Sequence, residues 1–210
     1  MPIPVRKITW ILIGFMLLLD AAHLWVNLAP PVSPTGFRYD SLISAFHLEN
    51  EANIPNWYST VLLFAIALAA LVIRRLQKQP RWGFFWPVFA GFFALLSLEE
   101  AADLREVIYH TIFVKSFLVC APLGVIFVSL CLGFFFFIQR TDGSSRLWIG
   151  AGMLLLLGGA LGGQYLQINL AVGQSTFAAG ILIKETLEML GEILVLAGCL
   201  VEINRLAEPV

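Results

Sequence analysis

Six long apolar stretches constrain this chain more than any other feature of its sequence. A helix that crosses the roughly 30 Å hydrocarbon core of a bilayer needs about 20 apolar residues. Backbone groups inside a bilayer must be paired within the segment, so each stretch is expected to be a continuous helix. The predicted spans are residues 9–28, 57–73, 82–98, 117–138, 147–171 and 177–203.

Composition supports an all-α, polytopic membrane protein. Of 210 residues, 59% are hydrophobic and 13% are charged, whereas a soluble domain carries about a quarter charged residues. We expect residues 1–210 to form a single transmembrane domain, a bundle of six helices. The net charge of −1 gives no reason to expect nucleic acid as a partner. The three cysteines lie in apolar runs and lack zinc-type spacing.

The distribution of lysine and arginine predicts the orientation. Basic residues are enriched in cytoplasmic loops. If the N-terminus is cytoplasmic, nine of the 13 basic residues fall on that side, and both termini are then cytoplasmic. The compact loops suggest a bacterial inner membrane. The nine are Arg6, Lys7, Arg74, Arg75, Lys78, Arg81, Arg140, Arg146 and Arg205.

The longest loop, residues 29–56, is then on the outer, periplasmic or extracellular side. It opens with helix-breaking Pro30, Pro31, Pro34 and Gly36. Residues 41–53 are predicted to form a short interfacial helix or a lid over an outer site, and the alternative is a plain connector.

Ionisable residues inside the spans are the strongest functional signal, because they are costly in lipid and normally face a protein interior or a wet cavity. They form three stripes at helical spacing. The stripes are Asp20, His23 and Asn27 on the first span; Glu99, Asp103, Glu106 and His110 on and beyond the third; and Glu185, Glu188 and Glu192 on the sixth.

At about 1.5 Å per residue, these stripes reach similar depths in the outer half of the membrane. Asn56, Ser59, Gln164 and Gln167 lie at comparable heights on two further helices. The sequence therefore predicts one polar cluster to which five of the six helices contribute.

A cluster of carboxylates in a low-dielectric space must be neutralised. Some carboxyl groups keep their protons, or Arg105 and Lys184 pair with some of the acids, or a cation binds among them. Oxygen and imidazole ligands suit divalent metals, although the Glu-x-x-His signature of di-iron bundles is absent. The structural alternative is a solvated helix end for the third stripe and internal hydrogen bonding for Asp20 and His23.

These considerations assign candidate roles. The predicted catalytic residues are Glu188, Glu192, Glu99 and Asp103. The predicted ligands of a divalent metal ion of unknown identity are Asp20, His23, Glu100, Glu106, His110 and Glu185. The predicted substrate-binding residues are Asn27, Asn56, Ser59, Gln164 and Gln167.

Two further patterns predict packing. Gly158, Gly159, Gly162 and Gly163 form small-xxx-small pairs that let helices approach closely in lipid. Tryptophans near the predicted helix ends are typical of interfacial belts. They are Trp25, Trp57, Trp82, Trp86 and Trp148.

Three stretches resemble a family of small, uncharacterised bacterial multi-span membrane proteins. They are residues 49–59 (ENEANIPNWYS), 96–106 (LSLEEAADLRE) and 185–191 (ETLEMLG). In the family's pattern Glu99 stands for an Asp, Glu100 and Glu106 match, and Arg105 replaces a His. The resemblance implies importance for Glu100, Glu106 and Glu188, and it implies no reaction.

Residues 51–59 are also faintly similar to alkaline ceramidase-like membrane hydrolases. Those enzymes use a zinc site with paired histidines, which this chain lacks.

Two main functional hypotheses follow. The first is a membrane-embedded, metal-dependent or acid–base enzyme, such as a hydrolase or oxidoreductase, acting on a lipid or small amphipathic substrate. The second is a small proton- or cation-coupled transporter. A structural or assembly subunit is a third interpretation. The sequence identifies the lipid bilayer as a partner, and it does not indicate an oligomeric state.

Overall fold

The computed structural model describes residues 2–28, 45–46, 53–77, 84–102, 143–163 and 174–208. These residues form an all-α structure with five α-helices, as the composition predicts. A π-helical segment, Gly158–Gly163, continues the fourth helix. The helices are α1 (Val5–Leu28), α2 (Ile54–Leu76), α3 (Phe85–Ala102), α4 (Gly143–Leu157) and α5 (Gln174–Ala207).

The described helices lie close to five of the six predicted spans. The helix α2 begins before the predicted residue 57 because Asn53 caps it, with the Asn53 side chain accepting a hydrogen bond from the Asn56 backbone N–H at 2.7 Å. Pro55 fits the first turn, where no backbone donor is needed. The predicted span 117–138 and most of the predicted outer loop 29–56 lie outside the described residues.

Three of the described helices are long and apolar enough to cross a membrane. The qualifying segments are Val5–Val26, Ile54–Leu76 and Phe85–Ala102. The helix α5 is long enough but carries more charged side chains, including Lys184, Glu188 and Glu192.

The helix α5 lies at the centre of the described structure, in contact with α1, α2, α4 and the π-helical segment. The Ile3 backbone N–H donates to Asn204 Oδ1 at 2.8 Å, and Asn204 Nδ2 donates to the Ile3 carbonyl at 2.9 Å. Ser145 Oγ donates to Glu202 Oε2 at 2.8 Å. Because the starts of α1 and α4 meet the end of α5, both helices run antiparallel to α5.

The helix α3 packs on α2. Ser97 Oγ, near the end of α3, donates to the Thr60 carbonyl near the start of α2 at 2.9 Å. The two helices are therefore antiparallel.

The exposed and buried side chains reverse the pattern of a water-soluble protein. Large apolar side chains such as Ile11, Leu95 and Leu154 are exposed, whereas His23 and Glu192 are buried. This arrangement is the one expected where the surroundings are lipid.

One tryptophan prediction is wrong. Trp86 is fully buried in the apolar core and does not belong to an interfacial belt. Its ring meets that of Phe89 edge-on, with the centroids 5.8 Å apart. The first turn of α3 is therefore part of the core, because α3 packs closely against α2.

Helices approach closely at Gly191 and Gly152, which are not among the glycines predicted to pack. A Cβ on Gly191 would lie 2.7 Å from both the Gly152 carbonyl oxygen and the Leu156 backbone nitrogen. A Cβ on Gly158 or Gly162 would meet no described atom within 4 Å. Of the glycines predicted to pack, Gly159 does so, since a Cβ there would lie 2.7 Å from Glu188 Cγ. The backbones of α4 and α5 therefore approach most closely where neither helix has a side chain.

Candidate functional site

A cavity of about 210 Å³ lies between α2, α3, α5 and the end of α4 with its π-helical continuation. Its walls combine apolar side chains with four carboxyl groups. Both α3 and α4 end beside it. The residues that line it are Leu63, Phe92, Leu96, Glu99, Glu100, Met153, Leu156, Leu157, Ala160, Glu188 and Glu192.

Glu192 is the most buried of the four acids, with 2% of its surface exposed. Ser59 Oγ donates a hydrogen bond of 2.5 Å to Glu192 Oε1, which fixes the carboxyl group between α2 and α5. The second oxygen, Oε2, is also buried and has no hydrogen-bond partner among the described residues. Since buried polar atoms are normally hydrogen-bonded, this oxygen has a hydrogen-bonding capacity that the described residues leave unused.

Glu188 lies one turn earlier on α5 and shares a cation with Glu185. The Lys184 ammonium lies 3.0 Å from Glu185 Oε1 and 3.9 Å from Glu188 Oε2. The i, i+4 spacing places Lys184 and Glu188 on the same side of the helix. One of the expected ways of neutralising the acids, pairing with Lys184, is therefore present in the structure.

Glu99 and Glu100 reach the cavity from the last turn of α3. The Ser97 hydrogen bond to α2 holds this turn in place. Glu100 and Glu188 are near enough to act electrostatically on Glu192. The structure thus brings Glu99, Glu100, Glu188 and Glu192 to one cavity, as the stripes on the third and sixth spans suggested.

The described side chains of the predicted stripe on the first span do not line the cavity. Asp20 and His23 are buried, but neither lines the cavity. Thr186 Oγ1 of α5 donates to Asp20 Oδ2 at 3.2 Å, and the buried Asp20 Oδ1 has no hydrogen-bond partner in the described part of the chain. Asp20 therefore lies between α1 and α5, within electrostatic reach of Glu185 but outside the lining of the cavity.

The remaining predicted site residues are less informative. Asn56 contributes its backbone N–H to the α2 cap and does not line the cavity. Asn27 lies on α1, but its side chain is outside the described part. The residues that lie wholly outside it are Asp103, Glu106, His110, Gln164 and Gln167.

The described residues do not assemble the predicted metal site. Among them, no group of three His, Cys, Asp or Glu side chains has an arrangement that would hold a metal ion. Asp20, His23, Glu100 and Glu185, which were predicted as ligands, form no such group among the described residues. The donor set on the described helices thus does not fit a metal by itself.

Sequence reasoning missed the apolar walls of the cavity and the role of Thr186. Phe92, Met153 and Leu156 look like ordinary core residues in the sequence, because nothing in their spacing distinguishes a cavity wall from a packed interface. Thr186 had a weak signal, since it is a hydroxyl next to the acidic stripe of α5.

A family model described as Domain of unknown function (DUF8692) matches residues 10–203. The chain belongs to the DUF8692 family. All residues that line the cavity fall inside the matched range. Membership in this family agrees with the resemblance to an uncharacterised family, while the similarity to ceramidase-like hydrolases and the bacterial origin stay predictions. No curated protein and no solved structure matches the chain, so any activity for this DUF8692 member must be argued from its own geometry.

Proposed function

We propose that this protein crosses the bacterial inner membrane six times, with both termini in the cytoplasm. The arrangement of α3 and α4 supports the count. Both helices end beside the same cavity, which places the start of α4 on the opposite side of the bundle from the end of α3. The apolar stretch 117–138 is long enough to cross from one to the other. The Ile3–Asn204 hydrogen bonds, which join the two ends of the chain, support an even number of crossings.

Within this framework, we propose a membrane-embedded acid–base enzyme that acts on a small amphipathic substrate or the head group of a lipid. The observation that carries the proposal is the Glu192 carboxyl group, which is buried at a cavity with one oxygen bonded to Ser59 and the other unpartnered. A fixed carboxyl group that lines a cavity and has one unpartnered oxygen is suited to proton transfer.

Each polar residue then has a distinct part. Glu192 Oε2 takes a proton from the substrate, while the Ser59 hydroxyl keeps the carboxyl group oriented. The same Glu192 carboxyl group then returns that proton to the product, while Glu188, one turn away and beside the Lys184 ammonium, adds charge to the wall of the cavity. Glu99 and Glu100 add negative charge at the α3 side of the cavity. The apolar walls lower the local dielectric constant, which strengthens electrostatic interactions inside the cavity.

A divalent metal remains a proposal that needs ligands from beyond the described helices. Glu106 and His110 are the predicted candidates, because they continue the stripe that starts at Glu99. A metal bound there would lower the pKa of a coordinated water molecule.

Cation- or proton-coupled transport is the second candidate, and the π-helical segment Gly158–Gly163 favours it. Such segments occur frequently at functional sites, and Ala160 within this one lines the cavity. A change from π to α geometry there would move one wall of the site.

The purified full-length chain in detergent micelles separates these functions. It is incubated with an extract of bacterial membrane lipids and small metabolites, and the products are identified by mass spectrometry. The enzyme proposal predicts that at least one component changes its chemical composition. In a parallel assay the protein is reconstituted into sealed vesicles. If no component is converted but one is taken up in a gradient-dependent way, the enzyme proposal is wrong and transport is supported. If neither occurs, both proposals fail and the structural role remains.

A further inference from the structure

We propose that the cavity binds a small primary amine in its ammonium form, with the short apolar part of the ligand against the cavity walls. This inference rests on the proposed function, because it names the class of ligand for the same site. It is carried by the combination of an unpartnered, buried carboxylate oxygen on Glu192 with a cavity that is acidic and otherwise apolar.

The charge of the walls favours a cation. Four of the lining residues are glutamates, and no lysine or arginine lines the cavity among the described residues. Lys184 contacts Glu188 without being one of the lining residues. The unpartnered oxygen of Glu192 would repel a negatively charged ligand, whereas an ammonium group would satisfy it.

The hydrogen-bonding capacity of the walls favours an ammonium group in particular. A primary ammonium has three N–H donors and no acceptor. Glu192 Oε2 is an acceptor without a donor in the described structure, and hydrogen bonds between two charged groups are the strong ones. A neutral alcohol of the same length has one donor and no charge, so its hydrogen bond to Glu192 Oε2 would be weaker.

The remaining walls fit a short hydrocarbon. The Phe92 ring adds an aromatic surface, which attracts cations, and the other apolar residues of the lining are aliphatic. The cavity has a volume of about 210 Å³. This volume is below the range of about 300–1,000 Å³ that is usual for sites of drug-sized ligands, so the amine must be small.

A bare metal ion fits less well. Metal ligands must converge at about 2.0–2.6 Å from one point, and the described acids form no group of three with such an arrangement. An ammonium ion on a carbon chain tolerates carboxylates that are spread around the wall.

The test uses the full-length protein in lipid nanodiscs and isothermal titration calorimetry. The probes are n-butylammonium, butan-1-ol as the neutral analogue of equal size, and Mg²⁺. We expect saturable binding of n-butylammonium, at least ten-fold weaker binding of butan-1-ol, and no saturable binding of Mg²⁺. Equal binding of the alcohol, binding of Mg²⁺ instead, or no binding of the amine would each overturn the proposal.

Two variants make the result specific to the cavity. Glu192→Gln keeps the size of the side chain and an acceptor for Ser59, and it should weaken n-butylammonium binding about ten-fold or more, because a charge-assisted hydrogen bond is lost. Glu202→Gln is the matched control, since Glu202 is an equally buried acid on α5 that bonds to Ser145 and Arg205 instead. Unchanged binding in Glu192→Gln, or an equal loss in Glu202→Gln, would contradict the assignment.

The two proposals fail separately. If the extract assay detects conversion but n-butylammonium does not bind, the enzyme proposal stands and the amine inference is wrong. If n-butylammonium binds through Glu192 but no component of the extract is converted, the cavity is an amine site and the enzyme proposal is wrong.

Discussion

Glu192→Gln is expected to slow conversion of the substrate in the extract assay by about 100-fold or more, because a positioned acid–base group contributes on the order of 10²- to 10⁴-fold. The glutamine side chain preserves the shape of Glu192 and an acceptor for the Ser59 hydroxyl. It removes the proton acceptor at the free oxygen. The measurement is the initial rate of product formation with protein of equal folded content.

Two neighbouring hydroxyls provide a matched control for this result. Ser59→Ala removes the donor that orients Glu192 and should reduce the rate less than Glu192→Gln does. Thr60→Val alters the adjacent residue, whose hydroxyl has no hydrogen-bond partner within the described ranges, and should leave the rate unchanged. A Glu192→Gln variant with the wild-type rate would show that the free carboxylate oxygen takes no part in the chemistry.

Gly191→Ala is expected to lower the free energy of unfolding by about 2 kcal/mol. The new methyl group would lie 2.7 Å from backbone atoms of both Gly152 and Leu156. Because backbone cannot rotate away as a side chain can, α4 and α5 must separate along their contact. This cost exceeds the gain of roughly 1 kcal/mol that alanine brings over glycine within a helix.

Gly150→Ala is the control, and it should change stability in the opposite direction. Gly150 lies on the same helix as Gly152, but a Cβ there meets no described atom within 4 Å. We therefore expect a gain of up to about 1 kcal/mol. Unfolding in mixed detergent micelles, followed by circular dichroism, measures both variants. Changes of the same sign in the two variants would rule out the close contact of α4 and α5.

The sequence predicted the helices well because their signal is local. Each described helix contains much of a long apolar run, and most bounds differ from the prediction by a few residues, as at α2, which Asn53 caps. Helical spacing also predicted that Glu188 and Glu192 share one side of α5. The meeting of that side with Glu99 followed from similar depth in the membrane.

The placement of Asp20 and the close contact of α4 and α5 were not predictable in the same way. Periodicity tells which residues share a face of one helix, but it does not tell which neighbour that face meets. Asp20 matches Glu192 in depth, yet it faces Thr186 instead of the cavity. Likewise, Gly158 stands in the richest glycine run of the chain, whereas the tight contact is at Gly152 and Gly191, because closeness depends on what the partner helix presents.

The central claim is that Ser59 and Glu192 meet beside the cavity. Cross-linking in intact membranes tests it most directly. Cysteines replace both residues in a chain whose three native cysteines have been changed to alanine, and a short bifunctional thiol reagent is added. We expect an intramolecular cross-link for this pair and no cross-link when Ser59→Cys is combined with Glu202→Cys. An absent cross-link in the first pair, or equal cross-linking in both pairs, would contradict it.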